Sequence, residues 1–445
     1  MAGFTEATPS PRGARPEDTR LDWFVERREV TEVLHQRSGL RVVAPVLDRG
    51  WSRGQATADR MTWQWAQVAD ARWESGLMPE ALERQARDML DAEPRLASDT
   101  EAMSSLVRQL EATARAAGAQ HLDVLLREVE RCALSASDAH LREDRQRHAL
   151  LEVKAFHDTG AGLAELWRCA AWPDADGART AMPSLETLVE GMARELRDTT
   201  PMVPCPRDVL PIVFPPGAAS GCFFHEVCGH PLEGDVVARG GSYLARRLGQ
   251  QVAGAHLSVS DDPTDGHGAL GFAWDDEGHA ALPVTLLREG RVDAPLLDAR
   301  SATALGRAPN GHGRRVSYRH PPLPRMAHTR VDAHQGDLEA LMADVPHGLL
   351  VQHLTPRQMD LLSGDFSFYI VEAREIRNGR PGRRVGPGIL RGNGLEALAA
   401  IDAVGADTKN LFATRGCRKL DHGPLPVSFG QPTIRFRQLS VEPWR

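Results

Sequence analysis

Between Arg197 and Gly217 the sequence reads RDTTPMVPCPRDVLPIVFPPG, and the prolines at 201, 204, 206, 211, 215 and 216 constrain this chain more than any other stretch. Each fixes φ and lacks an amide hydrogen, so every helical period is interrupted there. The chain is therefore expected to fold as two parts that meet near Thr200. At 445 residues it is long enough for two cores, neither needing covalent staples.

Residues 1–20 lack large aliphatics and are rich in Pro, Gly and charge, which predicts a disordered tail. From Leu21 the runs LDWFVERREVTEVLHQ and LRVVAPVL read as strands, with Pro45 confining the second to an edge or a bend. Helices follow. Leu82, Ala86, Met89 and Leu90 recur at helical spacing behind Pro79 and ahead of Pro94. Met103, Leu106, Val107 and Leu110 do so ahead of Gly118, and Leu185, Leu188, Val189, Met192 and Leu196 mark another helix. HALLEVKAFHD and AGLAELWRCAAW read as strands, so residues 21–200 are expected to form an N-terminal α/β domain.

Residues 201–445 are mostly strands and turns. LPVTLLREGRVDAPLL predicts a hairpin turning at Glu289-Gly290, and FSFYIVEAREIRNGRP one turning at Asn378-Gly379. Helix signals are few: the stretch ending at His230, a short one after Thr355-Pro356, and Leu395 to Val404. The expected class is α+β, with a β-rich C-terminal domain carrying one chemical helix.

The formal charge is 53 − 60 = −7, with both signs interleaved, so no basic stripe is present to attract nucleic acid. Cys132, Cys169, Cys205, Cys222, Cys228 and Cys417 are scattered, and no signal peptide or membrane-spanning apolar run is visible. The expected setting is a reduced cytoplasm without membrane attachment. Lys154, Lys409 and Lys419 are the three lysines, a scarcity that reads as genome composition rather than chemistry.

The chemistry concentrates in GCFFHEVCGHPLEGD, residues 221–235. A hydrolytic zinc site needs three protein ligands, an open position for water and a carboxylate to take the water's proton. HEVCGH supplies the imidazoles of His225 and His230 and the carboxylate of Glu226. On a regular α-helix a five-residue step turns about 500°, which leaves the histidines roughly 140° apart and unable to share an ion. A π-bulge or local unwinding removes the mismatch. Gly229 is where the backbone gives most readily, and Pro231 ends the helix at the second histidine. The hexamer alone leaves two readings: a metal site with Glu226 as general base, or ordinary histidines beside a turn with solvated carboxylates. Its neighbours VLPIVF and GAASGC are too rich in apolar and small residues for a solvated face.

FFHEVCGHPLEGD resembles the signature of the TldD/PmbA family of metallopeptidases, in which an HExxxH helix is followed closely by an LEGD-type turn. AWDDEGHAALPVTLLREGRV, GRRVSYRHPPLPRMAHT, GNGLEAL and CRKLDHGPLPVSFGQPTIRF extend the resemblance over most of residues 205–445, with a fainter trace upstream. The resemblance implies a third zinc ligand at Cys417, which on its own would read as a small buried hydrophobe. A thiolate with two imidazoles suits Zn2+ and leaves a fourth position for water.

It further implies a zinc-dependent peptidase acting on unfolded or leader-type peptides with a metal-activated water, the peptide held by strand addition. The implied partner is a PmbA/TldE-like subunit lacking the zinc motif, or a second copy of the chain. Rival readings are a catalytically silent scaffold subunit and a cysteine hydrolase using Cys228 or Cys417. Three features depart from the family pattern: Cys228 in place of an aliphatic residue, Pro231 in place of a glycine, and a longer loop after Cys417. Asp235 is a candidate to orient a ligand histidine. Tyr318, His320, Arg325 and His328 are candidates either for placing a cation or imidazole near a developing oxyanion or for structure.

Overall fold

The computed structural model describes residues 3–6, 20–56, 61–68, 78–92, 100–137, 140–158, 163–198, 202–217, 220–265 and 270–444. In chain order the first half holds β1 (Gly3–Glu6), β2 (Arg20–Gln36), β3 (Gly39–Ala56), β4 (Met61–Gln67), α1 (Glu80–Leu90), α2 (Thr100–Ala116), β5 (His121–Ser137), β6 (His140–Asp158), β7 (Leu163–Trp172), α3 (Ala175–Thr180) and α4 (Met182–Leu196). The strands form one antiparallel sheet in the order β1-β4-β3-β2-β5-β6-β7.

Side chains alternate between the faces of a strand, and this sheet uses its faces differently. Val33, Leu122, Val124, Leu126, Leu151 and Val153 pack against Leu106, Val107 and Leu110 of α2 and Leu185, Val189, Met192 and Leu196 of α4. Arg28, Arg127, His148, Glu152 and Lys154 face a cavity instead. The helical periodicities are matched by burial: Leu82, Ala86, Met89 and Leu90 are the buried residues of α1. Pro45 lies where β3 has only β2 beside it, next to a register shift, because β4 pairs with Gly50–Ala56 alone. Gly3–Glu6 pairs with β4, a correction to the loose tail expected there. Residues 7–19, Pro94 and the boundary near Thr200 lie outside the described residues.

The second half begins with β8 (Asp208–Phe214), α5 (Ser220–Phe224), α6 (Gly234–Ala238), β9 (Val259–Asp261), β10 (Val284–Arg288), β11 (Arg291–Val292), α7 (Ala299–Ala304), β12 (Gly313–Arg314), β13 (Leu323–Pro324) and β14 (His328–Val331). It continues with α8 (Leu338–Ala343), β15 (His347–Met359), β16 (Asp365–Arg377), β17 (Arg380–Val385), β18 (Gly388–Asn393), α9 (Gly394–Ala400), β19 (Ile401–Val404), β20 (Lys409–Lys419), β21 (His422–Gln431) and β22 (Ile434–Pro443). One sheet runs β11-β10-β9-β14-β21-β20. In the other, β8, β22, β18, β16 and β15 pair in succession and β15 returns to β8, closing a ring. Phe223 meets Phe214, Phe366 and Phe436 edge-on and Phe368 at a tilt within this core, so α5 is anchored through Phe223.

Both expected hairpins form, and Glu289-Gly290 and Asn378-Gly379 have the paired positive φ that two-residue turns demand. Two expectations need correction. No helix follows Thr355-Pro356, because β15 runs through to Met359 and pairs Thr355 with Tyr369. The helix over Leu395 to Val404 stops at Ala400, after which Ile401–Val404 pairs with β22. Among the described residues no helix is long and apolar enough to cross a membrane.

The halves meet through charge. Arg131 bridges Glu26 and Asp276, Arg168 binds Glu372, and Asp48 takes both Arg319 and the Tyr318 hydroxyl.

Candidate metal centre

The five-residue spacing is met by a change of helix type. After α5, residues His225–Gly229 form a π turn, and the His230 amide donates to the His225 carbonyl, an i→i+5 bond that absorbs the extra residue. The histidine rings then lie 4.9 Å apart, centroid to centroid, at 83°. Gly229 serves this turn differently from the expectation. Its φ of −64° and ψ of −66° need no glycine, but a Cβ there would overlap Met326 Sδ. Pro231 is the middle residue of the short 3-10 turn His230–Leu232 that ends the helix.

Cys417 arrives from β20, past a register shift in its ladder with β21. Its Sγ lies 3.4 Å from His230 Nε2, and the potential ligand atoms of His225, His230 and Cys417 all fall within 4.8 Å of one another. Hydrogen bonds at the far side of each ring select the tautomer. Thr329 Oγ1 donates to Asp261 (2.9 Å) and so accepts from His225 Nδ1 (3.3 Å). His230 Nδ1 donates to Glu233 Oε2 at 3.1 Å. Both rings therefore turn an Nε2 lone pair inward, and His225 Nε2 is buried without a hydrogen-bond partner among the described residues. A buried acceptor beside a second imidazole and a thiol is a donor set that fits a metal ion.

The charges agree. Burial favours the neutral thiol at Cys417, but His230 and His225 outweigh it and hold the group well below its usual range. Burial opposes charge on His230 too, yet Cys417, Glu233 and Glu226 hold its imidazole well above its usual range, so a cation, proton or metal, is favoured at its Nε2 beside the thiolate. Glu233 is held down at about 2 against burial by His230, Lys419 and Arg325. At Glu226 burial prevails over the histidines and raises the carboxyl.

Glu226 Oε1 is 4.0 Å from His230 Nε2. With His225 and Cys417 it lines a cavity of about 310 Å3 that opens between the halves of the molecule. The opposite wall comes from Lys154, Glu165 and Trp167 of the N-terminal sheet, and His353 stacks on Trp167 at 4.8 Å.

The remaining candidates fall elsewhere. Asp235 pairs with Lys419 at 2.6 Å, and the carboxylate on His230 is Glu233. Arg325 donates to the Cys417 carbonyl at 2.6 Å, which steadies that backbone without facing the cavity. Tyr318 is buried with its hydroxyl on Asp48, His320 meets Ser317 and His422, and His328 meets Ser428 and Asp265. Cys228 is sealed in the hydrophobic core, where burial pushes its thiol up, away from nucleophile chemistry. The stretch after Cys417 is the end of β20 and β21, joined at a tight turn with Leu420 at φ 53°, rather than a loop.

A π turn presenting two histidines and a glutamate, closed by a strand cysteine, sets a donor group that could hold a metal ion on a two-part α+β fold. Residues 207–443 match the family described as the PmbA/TldA metallopeptidase C-terminal domain, and the chain belongs to that family. It is 32% identical over 239 residues to the Metalloprotease TldD homolog of Haemophilus influenzae, covering 54% of this chain and 49% of that protein. A protein named Metalloprotease from Methanothermobacter thermautotrophicus is 31% identical over 223 residues, 50% of this chain and 48% of that one. The chain thus spans about half the length of the curated relatives it matches, and their names imply a metal.

Among solved structures, TldE of Thermococcus kodakarensis gives a TM-score of 0.73 at 16% identity, covering 95% of this chain and 96% of that one. A Thermotoga maritima protein described as a putative modulator of a DNA gyrase gives 0.74 at 16% identity over 96% of each chain. At that identity the likeness shows the fold.

Proposed function

We propose that this protein is a zinc-dependent peptidase of the TldD kind, hydrolysing unfolded or leader-type peptides. The observation that carries the reading is the convergence of His225, His230 and Cys417 within 4.8 Å, with Glu226 on the same cavity wall. A bound zinc ion would polarise the peptide carbonyl and lower the pKa of water. Glu226 takes the proton of the attacking water and returns it to the leaving amine. Glu233, and Asp261 through Thr329, keep the imidazoles in register. His353, which burial lowers to about 4 and so keeps neutral, and Lys154 offer N–H donors to substrate carbonyls.

Two sheet edges support strand addition. β7 ends one sheet and β20 another, and Glu165, Trp167, Leu411, Phe412 and Ala413 from these strands line the cavity. The six cysteines are all free thiols, which supports a reduced, cytoplasmic setting. A TldE-like subunit is the proposed partner, supported by the shared fold, with a homodimer the other form.

Metal analysis of the purified chain is expected to find about one zinc per protein. Glu226→Gln should retain that zinc while cleavage of an unstructured peptide pool falls about 10²- to 10⁴-fold. Undiminished turnover in that variant would sink the mechanism. A metal-bearing protein that cleaves nothing in either form, alone or with a TldE-like subunit, would be the silent scaffold instead.

A further inference from the structure

A second cavity, of about 650 Å3, lies between the charged face of the N-terminal sheet and the β20–β21 hairpin. Arg28, Arg127, Lys154 and Arg418 bring four cations to its walls, against the two carboxylates of Asp123 and Glu152. Arg127 is engaged by Glu32, and Asp123 by His121. Arg28 is not engaged: its Nε is buried without a hydrogen-bond partner, and it forms no ion pair among the described residues. The acids acting on it, Glu26 and Asp48, are taken by Arg131 and by Arg319 with Tyr318.

His148 repeats the pattern. It is 4% exposed, lines the same cavity, and its Nε2 has no partner among the described residues. Burial, then Arg28, Arg127 and Arg314, lower this imidazole to about 3, so it enters the cavity as a neutral donor or acceptor under local positive potential. The other face of the sheet is sealed with aliphatic side chains. A half-buried guanidinium whose Nε is sealed from water with no anion beside it is unfavourable, and a ligand that brings one removes the penalty. Lys154 and Gly416 line both this cavity and the one at the metal centre, so the two adjoin.

We propose that this cavity is a carboxylate subsite, in which Arg28 and His148 hold a carboxylate of the peptide whose scissile bond lies at the metal centre. Lys154 stands where the two cavities meet and guides the chain between them. The substrate half of the statement rests on the peptidase reading, whereas the anion site does not. The carboxylate comes from an Asp or Glu side chain or from the peptide's C-terminus.

Binding to the full chain carrying Glu226→Gln separates these cases. The probes are dansyl-labelled Ala/Ser peptides of one length: amidated and uncharged, amidated with a single Glu scanned along it, and without side-chain charge but with a free C-terminal carboxylate. At least one carboxylate peptide should bind about 10- to 100-fold more tightly than the neutral one, and Arg28→Met should shrink that ratio to about 2-fold or less. Arg418→Gln, an exposed position where folding is not at issue, should cut the ratio by about 3-fold. Equal binding of all probes, or a ratio unmoved by either substitution, overturns the subsite. Should the protein with Glu226 intact cleave none of the peptides while the preference and its loss persist, the peptidase reading falls and the anion site stands. Cleavage without any charge preference does the reverse.

Discussion

Glu233 shows how a single side chain sets the character of the site. It accepts from His230 Nδ1 at 3.1 Å and lies 3.0 Å from Lys419 Nζ, so the imidazole is gripped by a carboxylate that is itself held in place. Glu233→Gln keeps the volume and removes the charge, leaving Lys419 and Arg325 undercompensated. Zinc affinity, read by competition with a chromogenic chelator, should fall about 10- to 100-fold, and an unchanged affinity would show that Glu233 does not orient the ligand. The sequence shows two carboxylates in LEGD, and the turn geometry decides between them. The 3-10 turn around Pro231 returns Glu233 to His230, while α6 carries Asp235 to Lys419. Lys419 was within reach of sequence reasoning, because two residues beyond Cys417 on a strand is the same face. Thr329 and Asp261 were not, since only the pairing of β14 with β9 brings them together.

At the scale of elements, the π turn requires a helix end that can approach Met326 closely. Gly229→Ala introduces a Cβ against Met326 Sδ. Equilibrium denaturation should show a loss of about 1–3 kcal/mol. Combining it with Met326→Ala should cost less than the sum of the two single changes, because the second substitution removes the obstruction. Strict additivity would mean that the glycine is needed for something other than space. Elements whose cause is local were legible: the helical faces of Leu82–Leu90 and Leu185–Leu196, the two Gly-containing hairpin turns, and the need for an irregular helix between His225 and His230. Thr355-Pro356 was not, because a Pro that looks like a helix start is carried by a long ladder with β16 that tolerates it at a register shift. The order of the N-terminal sheet, with β1 beside β4 and β5 beside β2, was equally hidden, since strand and helix patterns do not say which strands pair.

At the scale of the molecule, both cavities lie between the two halves, with buried His148 on the wall of one and half-buried His353 on the wall of the other. Burial lowers His148 to about 3, and His353 and His422 to about 4. An unfolded histidine binds its proton near 6.5, whereas folded His148 does so only near 3. Unfolding therefore takes up a proton between these values, and the stability held by the neutral imidazole is complete above about 6.5 and is lost as pH falls toward 3. Between pH 7.5 and 5.0 that single group accounts for about 2 kcal/mol. Asp275 runs the other way, because burial raises its carboxyl to about 7 and its contribution grows as pH falls, so the net slope of the protein mixes opposing groups. A difference between variants isolates one of them. In urea titrations at pH 7.5 and 5.0, His148→Phe should lose about 2 kcal/mol less than the parent over that interval. An equal loss in both proteins would mean that His148 is protonated in the folded state, and that the positive potential assigned to the sheet's charged face is already neutralised by the chain itself.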